Sequence, residues 1–408
     1  MSNQQAAIEI INKLQEHGFQ ALLAGGCVRD MLLGRTAKDY DVATNAEPAA
    51  VMRLFPRTLR IGAKFGVVIV LIHKQQVEVA TFRAETGYED GRHPTEVRFT
   101  TAAQDASRRD FTINGMFYDP RTEQVIDYVE GRADLRRRIV RTIGNPEERF
   151  SEDYLRMLRA VRFSTRLGFA IEPETYAAIG RNAAKIARIS GERIAIELEE
   201  TLVHPNRAAG ATMLIETGLA DGVFPGFAGD ETARQTVPVL RRLRRNVDFP
   251  LALAAFFVGH PTDFAMSKCE LLKLSNKQTQ RIEFLLAHRG RLLDSAMSLA
   301  QLKKFLAQPA FRDLYELERA IQKASASQDG LVRLAALQRR IRDLGDVEVK
   351  PKPLLNGHDL MRLGAVSGPS LGQLAEELYV AQLENDVATK DQAEQWVTDW
   401  LGRHRSTQ

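Results

Sequence analysis

The spacing of hydrophobic and polar positions changes partway along the chain. Within residues 6–17 the apolar residues recur at the period of one helix face, and Gly18 ends this predicted helix. Residues 20–26 (QALLAGG) have the pattern of a short buried strand that leads into a glycine turn. A second helix is predicted at 48–55 (PAAVMRLF), with Pro48 in its first turn. The chain therefore begins with alternating helices and strands.

Two strand-like runs follow, at 65–73 (FGVVIVLIH) and 76–83 (QVEVATFR), and the polar pair Lys74 and Gln75 between them predicts a hairpin. Up to about residue 134 a mixed sheet flanked by helices is the simplest interpretation. From Glu152 onward nearly all of the sequence has helical period. We therefore expect a compact α/β head followed by a long all-α body.

The composition narrows the class of protein. At 408 residues the chain is long enough for two or more packed units. It is 44% hydrophobic and 26% charged, as ordinary globular proteins are, and its net charge of +4 suits a polyanionic partner without requiring one. Cys27 and Cys269 are far apart, so neither a disulfide framework nor a zinc site is expected. The sequence lacks a targeting segment and a membrane-length apolar run, so we expect a cytoplasmic protein without a membrane partner.

The stretch 38–44 (KDYDVAT) contains the first candidate chemistry. If it is extended, Asp39 and Asp41 point to one side, because side chains alternate along a strand. Two such carboxylates repel each other, and a divalent cation between them relieves the repulsion. Mg²⁺ prefers oxygen ligands and keeps positions open for phosphates, and Glu78 on a neighbouring strand is the best third carboxylate. The alternative is that this pair, like most Asp-x-Asp sequences, lies in a solvated turn or caps a helix.

A glycine pair precedes the aspartates. Gly25 and Gly26 have no side chains, so backbone N–H groups at this turn can approach a triphosphate closely. Arg29 follows, where a guanidinium group can bind the same oxygens. The alternatives are a plain tight turn and a surface ion pair between Arg29 and Asp30. Together with the carboxylates, these residues predict a nucleoside triphosphate site.

Five motifs carry a resemblance to a known family. They are LAGGCVRDMLLGRTAKDYDVAT, RRDFTINGM, DLRRRIVRTIG, SEDYLRMLRAVRFSTRLGF and GERIAIEL. In order and spacing they resemble the class II tRNA nucleotidyltransferases, which are the CCA-adding enzymes and their poly(A) polymerase relatives in the polymerase beta superfamily. The resemblance covers about residues 21–202, roughly half of the chain. It is specific because five motifs occur in order.

The resemblance implies an α+β fold in four parts. These are a polymerase-beta-like nucleotidyltransferase head with a mixed sheet (1–140), a helical neck that recognises the nucleotide base (141–205), a helical body (206–345) and a helical tail that binds tRNA (346–408). The tail resemblance lies at 353–397. There Gly357 and Asp359 of a Gly-His-Asp sequence are interpreted as helix-capping residues, since the other ligands of a His-Asp phosphohydrolase are missing.

The resemblance also assigns roles to individual positions. Asp39 and Asp41 are the implied metal ligands, and with Glu78 they are the implied catalytic residues. The positions implied to bind the nucleotide are Gly25, Gly26, Arg29, Arg109, Asp110, Asn114, Asp153, Arg156, Arg159 and Arg162.

Within this set, Arg109, Asp110 and Asn114 match the motif for the ribose, whose 2′-hydroxyl both donates and accepts hydrogen bonds. The alternative is that residues 108–110 cap and charge-balance the next segment. The motif Asp127, Gly131 and Asp134 matches the connector between head and neck.

The segment 152–163 (EDYLRMLRAVRF) is predicted to be one helix. Asp153 and Arg156 are then neighbours on one face, and Leu155, Leu158 and Val161 turn toward the core. The simple interpretation is an i,i+3 ion pair. The resemblance implies that the two side chains bind the Watson–Crick edge of the incoming base. It also implies that Arg193 and Glu197, in 191–198, support this helix.

The implied function is template-independent addition of C, C and A to the 3′ end of tRNA from CTP and ATP, with release of pyrophosphate. The implied partners are the 3′ end and elbow of tRNA, and the oligomeric state stays open. The segments 61–68 (IGAKFGVV) and 82–99 resemble CCA-adding enzymes rather than poly(A) polymerases or enzymes that add only C. Partial A-adding or CC-adding activity and poly(A) synthesis are the alternatives. A non-catalytic RNA-binding relative is a further class, but it predicts the loss of a carboxylate or of the glycine turn.

Basic runs at 134–141 and 240–245 either contact phosphates or are solvated helix faces.

Overall fold

The computed structural model describes residues 2–60, 66–88, 94–227, 232–345 and 347–405, with backbone only at 85–88, 94–97, 232, 233 and 405. By contacts the chain forms two compact units: Met1–Arg241 with Arg245–Asn276, and Arg242–Arg244 with Lys277–Gln408. The four-part division at residues 140, 205 and 345 stays a prediction. The segments used above to separate CCA addition from poly(A) synthesis lie partly outside the described residues, at 61–65 and 89–93.

A mixed seven-stranded sheet forms the centre of the first unit, as the sequence predicts. In chain order, the strands of this sheet and of two smaller two-stranded sheets are β1 (Ala21–Ala24), β2 (Asp41–Thr44), β3 (Thr58–Leu59), β4 (Val67–Ile72), β5 (Gln75–Thr81), β6 (Arg83–Tyr88), β7 (Pro94–Phe99), β8 (Phe117–Asp119), β9 (Gln124–Ile126), β10 (Ile139–Val140) and β11 (Ala170–Ile171). The sheet order is β3-β4-β5-β2-β1-β8-β9, while β6 pairs with β7 and β10 with β11. β2 runs antiparallel to β1 and parallel to β5, which brings β2 and β5 side by side.

Helices cover the sheet and make up nearly all of the chain after it. They are α1 (Asn3–Glu16), α2 (Gly26–Leu32), α3 (Pro48–Leu54), α4 (Ala102–Ser107), α5 (Gly131–Arg137), α6 (Pro146–Glu152), α7 (Leu155–Leu167), α8 (Pro173–Asn182), α9 (Gly191–Leu202), α10 (Arg207–Glu216), α11 (Leu219–Val223), α12 (Thr232–Arg242), α13 (Phe249–Phe256), α14 (Thr262–Leu271), α15 (Asn276–Ala287), α16 (Leu299–Leu306), α17 (Phe311–Ala324), α18 (Gln328–Asp343), α19 (Gly357–Arg362), α20 (Pro369–Glu384) and α21 (Lys390–Arg405). The predicted fold class is confirmed, and the short strand β11 is an exception to the all-α character after residue 152.

The hairpin between β4 and β5 turns one residue earlier than the sequence predicts. His73 and Lys74 occupy the turn with φ of 47° and 64°, and Gln75 is already the first residue of β5. Two consecutive residues with positive φ match the twist of the flanking strands, which explains the position of this turn. Glu78 keeps its predicted place on a strand next to β2.

Buried apolar side chains hold the head sheet against its helices. Phe82 and Phe117 are fully buried and meet edge to face with ring centroids 5.8 Å apart. Around them pack Leu22 of β1 and Ala43 of β2. Such an aromatic pair contributes about 1 kcal/mol beyond its buried area. This core fixes β1 and β2, whose ends hold the predicted site.

The helix α19 begins with a capping box, as its sequence suggested. The side chain of Asn356 accepts from the Asp359 N–H, and the Asp359 carboxylate accepts from the Asn356 N–H. The capping role predicted for Asp359 is therefore confirmed, with Asn356 as the N-cap and Gly357 as the first helical residue.

Cys27 and Cys269 are buried free thiols. No helix among the described residues is long and apolar enough to cross a membrane.

Candidate active site

A cleft of about 520 Å³ opens beside the ends of β1, β2 and β5. Most of the predicted site residues line it: Gly25, Gly26, Arg29, Asp41, Glu78, Arg109, Asp110, Asn114, Asp153, Arg156 and Arg159. Asp39 and Arg162 instead line an adjoining cavity of about 480 Å³. Gly26, Arg29, Asp41 and Phe163 line both. The structure thus gathers the predicted residues into two adjoining cavities of the first unit.

The carboxylates lie where β2 begins. Asp41 is the first residue of β2, so Asp39 lies before the strand. The alternation of side chains along a strand therefore does not fix the direction of the Asp39 side chain. Val42 pairs with Val79 in the parallel ladder, which places Asp41 beside Glu78. Loss of hydration, followed by the charges of Glu78 and Asp39, raises the pKa of Asp41 to about 6, although Arg109 acts in the opposite direction. Asp41 therefore carries an electrostatic cost that a bound cation would relieve.

The chemistry of these carboxylates fits Mg²⁺, because they offer hard oxygen ligands of like charge in one place. Among the described residues, however, no three His, Cys, Asp or Glu side chains stand close enough together to hold a metal ion as they are. A cation bound here would draw Asp39, Asp41 and Glu78 together. The metal role of these residues stays a prediction.

The glycine turn is built by backbone geometry. Gly25 has a φ of 75°, and a Cβ at this position would lie 3.0 Å from Nη1 of Arg109. Its N–H donates to the carbonyl of Met116 at 3.1 Å, and α2 begins at the next residue. Both the φ and the approach of Arg109 favour glycine here. The turn thus brings bare backbone to the border of the two cavities.

Arg29 is fixed at this border. Its Nη1 donates to Oδ1 of Asn114 at 2.6 Å, its Nε donates to Oδ1 of Asp30 at 2.9 Å, and its guanidinium group lies over the ring of Phe163. The ion pair with Asp30, considered above as an alternative, is therefore present. It coexists with a buried contact to the predicted ribose motif.

Hydrogen bonds between side chains hold the ribose motif in place. Asp110 Oδ2 accepts from Nη2 of Arg159 at 2.6 Å, and its Oδ1 accepts from Nδ2 of Asn114 at 3.2 Å. Burial opposes ionisation, but Arg159 holds the pKa of Asp110 at about 2. Arg109 donates to Asp105 of α4 at 2.9 Å, so charge balance with a neighbouring helix is also present. Asp110 is thus an ionised acceptor held in one orientation.

The predicted continuous helix around Asp153 is wrong. α6 ends at Glu152 and α7 begins at Leu155, and Asp153 between them has extended backbone, with φ of −154° and ψ of 103°. Its Oδ1 accepts from the Leu155 N–H at 3.0 Å, so it satisfies the first turn of α7. The i,i+3 ion pair with Arg156 does not form, because Arg156 donates to Glu152 and to the Arg149 carbonyl.

The neck motif contacts these residues from α9. Nη2 of Arg193 donates to Oδ2 of Asp153 at 2.7 Å, and Nε of Arg162 lies 2.6 Å from a carboxylate oxygen of Glu197. Burial raises the pKa of Glu197, with the arginines Arg162 and Arg159 opposing the rise. The supporting contacts that the resemblance implied for Arg193 and Glu197 are present. On α7 itself, the predicted core positions Leu155, Leu158 and Val161 are buried.

The connector motif is structural. Asp127 accepts from the N–H groups of Val129, Gly131 and Arg132, and Asp134 accepts from Thr112 and Arg141. Asp134 therefore ties α5 to the segment that carries the ribose motif.

Two arginines of the cleft were not predicted as site residues. Arg108 begins the motif RRDFTINGM and Arg83 is the first residue of β6, and both line the cleft. Arg108 binds Asp105 at 2.7 Å. The position of Arg108 in the motif was an available signal, whereas Arg83 has no local pattern that separates it from other basic residues.

Comparison with known proteins gives the family. Residues 21–141 match the family model "Poly A polymerase head domain", and residues 168–230 match "Probable RNA and SrmB- binding site of polymerase A". The chain is 36% identical over 393 residues to a CCA-adding enzyme of Lacticaseibacillus paracasei, covering 94% of each protein. It belongs to the CCA-adding enzyme family. The predicted family, the fold class and the CCA-adding nucleotidyltransferase function are confirmed.

Two further relatives agree. A CCA-adding enzyme of Geobacillus stearothermophilus is 46% identical over 228 residues, which is 56% of each chain. The crystal structure of a Bacillus stearothermophilus CCA-adding enzyme in complex with CTP superposes with a TM-score of 0.80 at 32% identity, covering 100% of this chain and 99% of the other. The likeness to this solved structure therefore spans both chains and is not confined to the head.

Proposed function

We propose that this chain adds C, C and A to the 3′ end of tRNA in the cytoplasm, using CTP and ATP and a divalent cation, Mg²⁺. One observation carries the proposal. A single cleft is lined by the Gly25-Gly26 turn, by Asp41 and Glu78, and by Asp153. A polymerase without a template needs these three elements together: a triphosphate cradle, carboxylates for the transfer, and protein groups that select the base.

Base selection rests on hydrogen bonds that Asp153 has left to form. Each oxygen of its carboxylate already accepts one hydrogen bond, from Leu155 N–H and from Arg193. A carboxylate oxygen accepts two, so the remaining lone pairs are available to an exocyclic amino group. Cytosine and adenine both carry this group where uracil carries a carbonyl oxygen, which Asp153 repels. Arg156 donates from the same wall of the cleft.

The ribose and phosphates are held by the other residues. Asp110 is ionised, and its oxygens accept from Arg159, Asn114 and the Phe111 N–H, so it fixes the motif proposed to bind the ribose. Arg29 and the glycine turn hold the triphosphate with guanidinium and backbone N–H donors. Asp39 and Asp41 would hold Mg²⁺, which when bound would supply Lewis-acid activation of a hydroxyl and neutralise phosphate charge. The basic runs at 134–141 and 240–245 and the tail at 346–408 are the proposed contacts for the rest of the tRNA.

The test uses tRNA that lacks its last three nucleotides. Purified protein receives this tRNA with CTP alone, with ATP alone and with both, each with and without Mg²⁺. We expect two additions with CTP, and three with both before the reaction stops. Addition of C alone or of A alone identifies a partial enzyme, and continued addition of A identifies a poly(A) polymerase. The Asp41→Asn variant is the inactive control.

A second test addresses selection. The Asp153→Ala variant removes the acceptor and should let UTP and GTP compete with CTP, while the Mg²⁺ dependence of the rate stays as in the native protein. Unchanged preference in this variant contradicts the role proposed for Asp153.

A further inference from the structure

One buried carboxylate of the head belongs to none of the five motifs. Asp105 lies in α4, and its side chain is only 2% exposed. It lines neither of the two cavities, so it does not face a bound nucleotide. A buried charge is costly unless it is paired and hydrogen-bonded. The partners of Asp105 therefore show what this carboxylate does.

Asp105 accepts hydrogen bonds from three arginines that line the cleft. Its Oδ1 accepts from Nε and Nη2 of Arg108 at 2.9 and 2.7 Å, and from the backbone N–H of Arg83 at 3.2 Å. Its Oδ2 accepts from Nε and Nη2 of Arg109 at 3.2 and 2.9 Å. A carboxylate offers about four lone-pair sites, so these donors leave Asp105 no site for a substrate. Asp105 can act on the reaction only through the arginines.

The contact with Asp105 fixes the guanidinium group of Arg109. Its Nε and Nη2 are bound to the carboxylate, and its Nη1 lies 3.5 Å from the carbonyl oxygen of Asn114 and 3.0 Å from the place of a Cβ on Gly25. The ring of Phe117 lies under the same group, with its centroid 5.0 Å from Cζ. A planar guanidinium group that is held along one edge and across one face has little freedom to turn.

The two arginines bound by this carboxylate contact three parts of the site. Arg109 lies against the glycine turn, and its charge lowers the pKa of Asp41, against the effect of burial. The carbonyl of Arg108 lies 3.5 Å from Nη2 of Arg156, on the wall proposed to select the base. Displacement of these arginines would therefore disturb the triphosphate turn, the carboxylates and the base-selecting wall together.

Charge balance alone does not explain this geometry. Burial raises the pKa of Asp105, but the charges of Arg109 and Arg108 lower it further, so the carboxyl group is ionised. Its negative charge reduces the repulsion between two adjacent guanidinium groups. For that purpose a carboxylate needs only to be near. Here each oxygen instead binds Nε and Nη2 of a different arginine, which sets the direction of both groups.

We propose that Asp105 is a positioning residue for nucleotidyl transfer, because it holds Arg108 and Arg109 in the orientation that aligns the bound nucleoside triphosphate for reaction. This inference rests on the proposed function. It concerns how the nucleotide is aligned after it binds, since the charges of both arginines attract a triphosphate in any orientation. Loss of the carboxylate should therefore lower the rate of transfer more than the affinity for the nucleotide.

The experiment replaces Asp105 by asparagine in the full chain, which keeps the shape of the side chain and removes its charge. kcat and KM for CTP are measured on tRNA that lacks its last three nucleotides, and dCTP is compared with CTP. We expect kcat to fall about tenfold, as for one lost charge-assisted hydrogen bond, while KM for CTP changes less than about twofold. The preference for CTP over dCTP should also fall, since Arg109 contacts the ribose motif at Asn114.

A double-mutant cycle tests whether Asp105 acts through Arg109. In an Arg109→Ala background, Asp105→Asn should lower kcat much less than in the native chain, because one of the two arginines that it positions is already gone. Equal effects in the two backgrounds show that Asp105 acts independently of Arg109 and contradict the inference.

Asp313→Asn is the matched control. Asp313 is also a buried carboxylate that binds two arginines, Arg244 at 3.0 Å and Arg281, but it belongs to the second unit and lines neither cavity. This variant should have a lower melting temperature. Its kcat at saturating tRNA and its preference for CTP over dCTP should equal those of the native protein.

Asp105→Glu keeps the inference testable if Asp105→Asn does not fold. It preserves the charge but moves the oxygens by one methylene group, so kcat should fall at least about threefold in a protein that is still folded by its melting curve. A native kcat in the folded variants overturns the inference and leaves Asp105 a purely structural role. A lower KM for CTP with native kcat also overturns it, because Asp105 would then only balance charge.

Failure of the proposed function has a different result. If the native protein adds no nucleotide to tRNA, the proposed function fails, and calorimetric titration with CTP and with dCTP still tests the role of Asp105. Native protein should bind CTP more tightly than dCTP, and Asp105→Asn should lose most of that difference. The same difference in both proteins overturns the inference, and so does no difference in either.

Discussion

Replacement of Arg193 by alanine tests whether the base-selecting carboxylate depends on support from α9. Nη2 of Arg193 donates to Oδ2 of Asp153 at 2.7 Å, and the two side chains are only 22% and 18% exposed. A hydrogen bond between charged groups in such surroundings contributes about 1.5–3 kcal/mol, whereas an exposed pair contributes little. Without Arg193, the Asp153 carboxylate loses one of its two fixing contacts and turns more freely.

If the hydrogen bond from Arg193 serves to orient Asp153, then losing this bond lowers the discrimination between CTP and UTP by about 10-fold to 100-fold. The measurement is kcat/KM for each of the four nucleoside triphosphates on tRNA that lacks its last three nucleotides. We expect the rate with CTP to fall and the rate with UTP to fall much less. Arg193→Lys should restore part of the discrimination, because it keeps one donor.

Lys273→Ala is the matched control. The Lys273 Nζ to Glu192 Oε1 distance is 2.8 Å, close to that of the first pair, but the side chains are 63% and 52% exposed. Both pairs involve residues in the first turn of α9, so removing the exposed one separates loss of orientation from a general loosening of the helix. Native discrimination in Arg193→Ala, or an equal loss in Lys273→Ala, would refute the reasoning.

Four further substitutions should change the stability of the fold in a direction that the structure predicts. Because the folded-state pKa of Asp41 is raised to about 6, its ionisation costs stability above that pH. Asp41→Asn should raise the melting temperature at pH 8 in metal-free buffer, and the gain should vanish in acid. The pKa of Asp110 is lowered to about 2 in the folded protein, so its ionised carboxylate stabilises the fold at pH values above the unfolded pKa. Urea denaturation should show that Asp110→Asn lowers the free energy of unfolding by on the order of 2 kcal/mol at pH 7 but by little at pH 2. A Cβ on Gly131 would lie 2.2 Å from the Thr112 carbonyl oxygen, so Gly131→Ala should cost about 1–3 kcal/mol. Gly372→Ala, within α20 and with open space around it, should be neutral or stabilising in the same denaturation experiment.

Much of the head was predictable because its signals are local. The strand period and the hairpin placed Glu78 on a strand beside Asp41, and the glycine pair marked the turn before α2. The turn at His73 and Lys74 was missed by one residue because nothing in the local composition showed which pair would adopt positive φ. The break at Asp153 was missed because its apolar spacing continues across the break, whereas the backbone there follows from capping α7.

By itself, the sequence determined the family, the α+β order of elements and the residue types of the site, since periodicity and motif spacing are properties of neighbouring positions. Tertiary structure decided which side chains hold one another. Asp153 is bound by Arg193, and Asp110 by Arg159, each more than 35 positions away. Such pairs depend on how α7 packs against α9 and against the ribose motif. The periodicity of the sequence does not show which distant residues will come into contact. The same packing places Glu78 at one cavity and Asp39 at the adjoining one.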